Sequence, residues 1–258
     1  MTHEGDDCAN ESYVDSHQGR GLDYDIELEI DRDLVVLTKI EAVALRTVIL
    51  KWFDEGRFDY LDAACGTGRI TQVVAPLARE AMGVDVSASM LDVARSKGIE
   101  ADLVCVDLAE LSSYSDKKFD LVTAFRFFPN AEPELRLRVI SALTELMHPG
   151  ALFIFNNHQN DASLFAKTRR LLGRPVRESW NSVPFEAEIS HFGLRVVQRM
   201  GVGYLPLGRR IRLPQRLDFW VEKWLSISRF FPRLARYEII ICQFCSTGRP
   251  TERKHVVD

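Results

Sequence analysis

Apolar and polar positions along this chain alternate between two periods. Short, nearly continuous apolar runs read as buried strands: Phe58 to Asp62, Ala81 to Val86, Asp102 to Leu108, Phe119 to Phe125 and Ala151 to Asn156. Between them lie stretches with helical spacing. Ile70 to Ala78 is one, a helix capped by Ser87 and carrying Met90, Leu91 and Ala94 is another, and Pro133 to Met147 places Leu135, Val139, Leu143 and Leu146 on one face. Ahead of them, Leu34 to Phe53 spaces Val36, Ile40, Val43, Ala44, Thr47 and Leu50 as a helix does. Pro149-Gly150 reads as a turn into the fifth strand. Farther on, Glu186 to Phe192 reads as a helix, Leu194 to Gly203 as a sixth strand and Tyr237 to Phe244 as a seventh. Strands buried on both faces that alternate with helices predict an α/β chain with a largely parallel sheet.

The chemistry concentrates at strand ends. Tyr60-Leu-Asp-Ala-Ala-Cys-Gly-Thr-Gly-Arg-Ile-Thr71 runs from a strand through two glycines into a helix. Gly66 and Gly68 let backbone N–H groups approach a ligand with no Cβ in the way. The spacing lacks the third glycine of the dinucleotide fingerprint. It places Asp62 at the strand's end instead, where a carboxylate suits a ligand with positive charge. Asp85 ends the second strand and Asp107 the third, at intervals of 23 and 22 residues. A carboxylate about 20 residues past the glycine turn is placed to accept from both hydroxyls of a ribose.

Asp62-x-Ala64-Cys65-Gly66-Thr67-Gly68 resembles the first motif of the class I S-adenosylmethionine (SAM)-dependent methyltransferases, with Ala64 where the family usually has a glycine. Asp85-Val-Ser-Ala-Ser-Met90-Leu91 resembles the second motif, and Leu146-Met-His-Pro-Gly150 the turn before the fifth strand. The resemblance covers about residues 58–156 and, more loosely, 186–244. It implies a doubly wound sheet of seven strands, mostly parallel, with an antiparallel last strand between the fifth and sixth and helices on both faces. It implies SAM as cofactor, with Asp62, Ala64, Gly66, Gly68, Asp85, Val86, Met90, Asp107, Leu108 and Phe125 as binding residues. Met90 packs either on the adenine or in the core. Tyr24 or Lys39, from the N-terminal stretch that covers the cofactor in the family, reaches its carboxylate or is simply a surface residue. In the family, Arg126 to Asn130 would bracket the sulfonium and the acceptor.

Ligands of such sheets sit beyond the carboxyl ends of the strands. Of the six histidines, only His158 falls there, just past the fifth strand. It is the candidate general base or acceptor ligand, with a turn histidine as the plain alternative and Asp161 as a rival. No metal ligand set is expected.

Composition narrows the function classes. The 258 residues carry a net charge of −4, too mild for a nucleic-acid binder. Eleven acids and two arginines fall in the first 33 residues, and residues 1–20 read as a disordered acidic tail. The domain is expected over 21–248, with insertions at 157–184 and 204–236 and a tail at 249–258. Cys8, Cys65, Cys105, Cys242 and Cys245 are scattered and odd in number, which suggests free thiols in a cytoplasmic protein. Cys242 and Cys245 have redox-motif spacing, but three positions apart on a strand they face opposite sides.

Tyr204 to Arg236 carries eight basic residues beside Leu217, Trp220, Val221, Trp224, Leu225 and Phe231. That is either a lid packed on the domain or a surface for peripheral contact with the inner face of a membrane. The expected function is methyl transfer to a small, lipophilic or lipid-linked acceptor, most readily at a hydroxyl. A non-catalytic SAM-binding regulator, or transfer to nitrogen, carbon or a macromolecule, is the alternative. Oligomeric state is not legible.

Overall fold

The computed structural model describes residues 32–176, 180–204, 220–221, 223–224 and 231–245. The strands are β1 (Asp59–Ala63), β2 (Glu80–Asp85), β3 (Asp102–Cys105), β4 (Phe119–Ala124), β5 (Met147–Asn157), β6 (Leu194–Val202) and β7 (Tyr237–Phe244). They form one sheet in the order β3-β2-β1-β4-β5-β7-β6. β1 to β5 are parallel, and β7 runs antiparallel between β5 and β6. The expected topology is therefore present. The residues 1–31, which include the acidic tail and Tyr24, lie outside the described part, as do residues 246–258 and most of the 204–236 insertion.

The helices are α1 (Arg32–Trp52), α2 (Thr71–Val74), α3 (Ala88–Ser96), α4 (Leu111–Tyr114), α5 (Pro133–Glu145), α6 (Leu164–Leu171) and α7 (Ser182–Ser190). They divide the core into two clusters, one on each face of the sheet. Strand residues alternate between them, as a two-residue period requires. Along β5, Leu152 and Ile154 join one cluster, and Phe153 and Phe155 the other; along β7, Ile239 and Ile241 oppose Ile240 and Cys242. Helix α1 covers the first face together with Ile70, Val74 and Leu77. Helices α5 and α7 cover the second through Val139, Ile140, Leu143, Phe185 and Ile189.

Four local readings are corrected by the structure. The buried face of α1 is Leu37, Ile40, Glu41, Ala44, Leu45, Val48 and Ile49, while Thr47 and Leu50 face out. The helix after the glycine turn is short: Pro76 has no N–H for the i→i−4 ladder, and the chain tightens into a 3-10 turn at Ala75–Leu77. β3 ends at Cys105, and Asp107 caps a 3-10 turn (Leu108–Glu110) by accepting from Ala109 N at 2.9 Å. Pro149-Gly150 lies inside β5, where the pairing with β4 shifts register between Phe119 and Leu121, so the expected turn is a bulge. Among the described cysteines, Cys65, Cys105, Cys242 and Cys245 are all free thiols.

Candidate functional site

The glycine turn is held from three sides. Cys65 N donates to Val84 O at 3.0 Å, which continues the β1–β2 pairing two residues past the end of β1. Gly66 N donates to Asp85 Oδ2 at 2.8 Å, and Ser87 N to Asp85 Oδ1 at 2.9 Å. Lys97, from the end of α3, donates to Thr67 O at 2.8 Å. Both glycines have positive φ, 55° at Gly66 and 77° at Gly68. A Cβ on Gly68 would come within 2.3 Å of Ile99 Cδ1 and 3.2 Å of Ala94 Cβ, so the turn packs tightly on α3 and the residues that follow it; over Gly66 nothing lies within 4 Å. That open space beside the turn is one that a ligand could fill. Ala64 also has a positive φ, 55°, which explains why a glycine suits this position; an alanine there carries roughly 1 kcal/mol of strain.

Beside the turn, Ala64, Asp85, Val86, Asp107, Leu108, Phe127, Leu135 and Val139 line one cleft. Five of the sequence-predicted residues thus meet there: Ala64, Asp85, Val86, Asp107 and Leu108. Met90 and Phe125 are buried, at 2% and 6% exposure, and neither lines that cleft; Phe125 belongs to the core face under α1. Ser87 caps α3 as expected, its hydroxyl accepting from Met90 N.

Asp62 lies deeper than its position in the motif suggests. It is 1% exposed, and its two carboxylate oxygens accept from Thr71 Oγ1 at 2.6 Å and Thr123 Oγ1 at 2.8 Å. Thr123 in turn pairs with the Tyr60 hydroxyl at 2.7 Å. Burial pushes the Asp62 carboxyl from 3.8 up to about 6, against the pull of the two threonine hydroxyls and Arg69.

Past the ends of β4 and β5 lies a second group. Glu41 of α1, fully buried, accepts from Arg69 Nη1 at 2.6 Å and from Asn156 Nδ2 at 2.8 Å. Asn156 Oδ1 accepts from Arg126 N at 2.6 Å. Arg126 has φ 60°, and its guanidinium lies 5.9 Å from the centre of the Tyr237 ring. His158 stands edge-on to the same ring, centroids 6.5 Å apart; its Nδ1 is buried and has no hydrogen-bond partner among the described residues. Burial first, then the Arg126 and Arg69 guanidiniums, lower the His158 imidazole from 6.5 to about 3. The imidazole is therefore neutral at physiological pH. Asp161 carries its carbonyl to Arg170 and is not part of this group. Phe127 and Phe128 of the loop after β4 turn into the aromatic core.

Sequence reasoning did not single out Glu41, Arg69, Thr71, Thr123 or Lys97. Glu41 had a signal: it is an acid on the apolar face of a helix, between Ile40 and Ala44, and a buried acid implies a partner. Lys39, named instead, is exposed. In the 204–236 segment, the described Trp220 and Trp224 are 63% and 65% exposed, and Lys223 Nζ sits 5.2 Å above the Trp220 ring. No helix of the described residues is long and apolar enough to cross a membrane, and among those residues no group of three or more His, Cys, Asp or Glu could hold a metal ion.

Comparison with known proteins agrees with this architecture. A family model described as a methyltransferase domain matches residues 61–150. A ubiquinone biosynthesis O-methyltransferase of Nitrosococcus oceani is 27% identical over 172 residues, 61% of this chain and 72% of the relative. Magnesium protoporphyrin IX methyltransferase of Synechocystis, solved with bound S-adenosylhomocysteine (SAH), superposes with a TM-score of 0.58 at 15% identity, over 90% of this chain and 97% of that one. A SAM-dependent methyltransferase of Archaeoglobus fulgidus gives the same TM-score at 17% identity, over 86% and 98%. Strand order, glycine turn and family match therefore agree: residues 61–150 match a methyltransferase domain, set in the fold that these SAM-dependent methyltransferases share.

Proposed function

We propose that this enzyme methylates a hydroxyl of a lipophilic small molecule, and that the hydroxyl is an acidic one, on an aromatic or enolic carbon. The observation that carries the reading is a neutral His158 with an unpartnered buried Nδ1 beside two guanidiniums. The relatives' name, an O-methyltransferase of ubiquinone biosynthesis, supports oxygen as the acceptor atom and a lipophilic carrier.

The residues present fit SAM: open space over Gly66 gives room beside the turn, and the Asp85 and Asp107 carboxylates in the adjoining cleft are the acceptors that its adenosine part requires. When bound, SAM supplies a methyl group already activated by the sulfonium. The chain's residues would then do the following. Asp85 accepts from the ribose hydroxyls with the lone pairs that Gly66 and Ser87 leave over. Asp107 and the Leu108 amide hold the adenine edge, beside Val86 and Ala64. Asp62 offsets the positive charge near the turn. Nδ1 of His158 receives the acceptor's proton. An imidazole whose basicity is lowered by burial takes a proton more readily from an acidic hydroxyl, one that ionises at about 10, than from an aliphatic alcohol, and the Arg126 guanidinium against the same Tyr237 ring would favour the resulting oxyanion.

SAH release should therefore be measured with alkyl-tailed phenols and with aliphatic alcohols of matched tail. Turnover confined to the phenols is expected; equal or greater turnover of the alcohols refutes the acidic-hydroxyl reading.

Asp62 gives a second expectation. A carboxyl at about 6 is partly protonated near that pH, and a bound cation would favour its ionised form. SAM binding at pH 6 should release a fraction of a proton, read by calorimetry in buffers of different ionisation enthalpy. Asp62→Asn should abolish that release and weaken binding about tenfold. Proton-neutral binding by the unaltered protein removes Asp62 from the cofactor's charge balance.

The exposed Trp220 and Trp224 beside Lys223 favour peripheral contact with an anionic membrane over a packed lid. Sedimentation with anionic vesicles should fall as salt rises, and fall again in Trp220→Ser/Trp224→Ser; neutral vesicles should not pellet the protein. Salt-insensitive or absent pelleting returns the segment to the lid reading.

A further inference from the structure

A buried chain of hydrogen bonds runs past the ends of β4 and β5 and begins on a helix outside the methyltransferase match. Glu41 of α1 holds Arg69, the residue after the glycine turn, through Oε2 and holds Asn156, near the end of β5, through Oε1. The Asn156 amide can face only one way under these partners. Its NH2 must meet the carboxylate, so its oxygen is left for the Arg126 N–H, 2.6 Å away. Arg126 is a non-glycine residue at φ 60°, a conformation that persists only where its surroundings hold it. In that conformation its guanidinium reaches the Tyr237 ring and bears on His158.

Glu41 and Asn156 are each fully buried. A buried ion pair between Glu41 and Arg69 gains little net stability, because desolvation offsets most of the attraction. What the pair does supply is a fixed orientation. We propose that Glu41 is a positioning residue: through Asn156 it holds the Arg126 backbone in its left-handed conformation, and so sets the wall of the acceptor site from α1. The role in turnover rests on the methyltransferase reading; the link from Glu41 to Arg126 does not.

The two parts are tested separately. Amide hydrogen exchange, read residue by residue by NMR on the full chain, reports the link without any ligand. In Glu41→Ala the Arg126 amide should exchange at least tenfold faster, while Leu121 and Val122 in β4 change less than twofold. Glu41→Gln keeps an oxygen for the Asn156 NH2 and should retain most of the Arg126 protection. Should Glu41→Ala fail to fold, Asn156→Ser breaks the chain at the next link and should free the same amide. Unchanged Arg126 protection, or a loss shared equally by the β4 amides, overturns the proposal.

The second arm is turnover of an alkyl-tailed phenol. Glu41→Ala should lower kcat about 10–100-fold with KM for SAM within threefold, and Glu41→Gln should recover part of it. A kcat that stays at the unaltered value while Arg126 is freed removes the catalytic consequence. An unaltered protein that shows no turnover at all counts against the acceptor reading and leaves the exchange result to decide the link.

Discussion

Asp85→Asn should weaken SAM binding by about 100-fold or more, a larger loss than any other single change in the cleft. The carboxylate does two jobs with one group. It accepts from Gly66 N at 2.8 Å and from Ser87 N at 2.9 Å, and so ties the glycine turn to the start of α3. Asparagine has one acceptor oxygen and an NH2, so one of those two amides loses its partner and meets a donor instead. An unsatisfied buried N–H costs about 1–3 kcal/mol, and losing the charge from hydrogen bonds to a diol costs a similar amount. Together that is roughly 3–4 kcal/mol, or two to three powers of ten in affinity. Calorimetry reads the affinity, and a thermal melt beside it shows whether the domain is intact. Affinity within threefold of the unaltered protein would mean that Asp85 only braces the turn.

His158→Ala is expected to lower kcat by about 10²–10⁴ with SAM affinity unchanged, the usual weight of a general base. Full turnover in that variant makes His158 a bystander of the site. The same residue leaves a mark on stability that needs no acceptor. Its folded value, about 3, lies below the ordinary 6.5, so between these the unfolded chain binds the extra proton. The stability it contributes is present above pH 6.5 and is lost as pH falls through the window toward 3, with a slope of about 1.4 kcal/mol per pH unit. Asp62 acts in the opposite sense. Its folded value of about 6 lies above 3.8, so its contribution is present below pH 3.8 and is lost as pH rises through 6. Between about pH 4 and 6 the two slopes nearly cancel. In His158→Gln, denaturant midpoints should therefore fall as pH rises from 4 to 6, where the unaltered protein shows little change from these two groups. Identical pH profiles for the two proteins would show that His158 is not held neutral by the fold.

The order of strands was legible because each is a short apolar run with polar or turn residues near its ends, although β3 stops earlier and β5 starts earlier than the runs suggest. Tyr237 to Phe244 alternates between the two core faces and is bounded by arginine and a cysteine, and the strand observed there has the expected ends. The glycine turn and the Ser87 cap were legible for the same reason: their chemistry is local. What was missed depends on the third dimension. Pro149-Gly150 reads as a turn by local preference, but pairing with β4 absorbs it as a bulge. The stripe assigned to α1 was rotated because Val43 and Leu50 are as apolar as Leu37 and Leu45, and only the sheet decides which face is covered. Asp62 was placed correctly at its strand, while its neighbours Thr71 and Thr123 come from elements 9 and 61 residues away. His158 was singled out by topology alone. The two arginines that lower its basicity stand near it only after β1, β4 and β5 are side by side.

The position of β7 has a consequence for how the chain reaches this structure. Among the described residues, the last strand in sequence, β7, is an inner strand of the sheet, inserted between β5 and β6. During synthesis, β5 and β6 emerge with those edges unpaired, and Phe153, Phe155 and Ile154 wait on a partner that begins 80 residues after Asn157. Until Ile239 to Cys242 arrive, the nascent chain presents two open apolar edges, the kind of surface on which unfolded chains associate. Closure by a segment so distant in sequence also slows the final pairing, because the chain must close before non-local contacts reward it. Glu238, on the incoming strand, meets Arg199 of β6 at 2.8 Å, so a charge pair marks the register in which that strand enters.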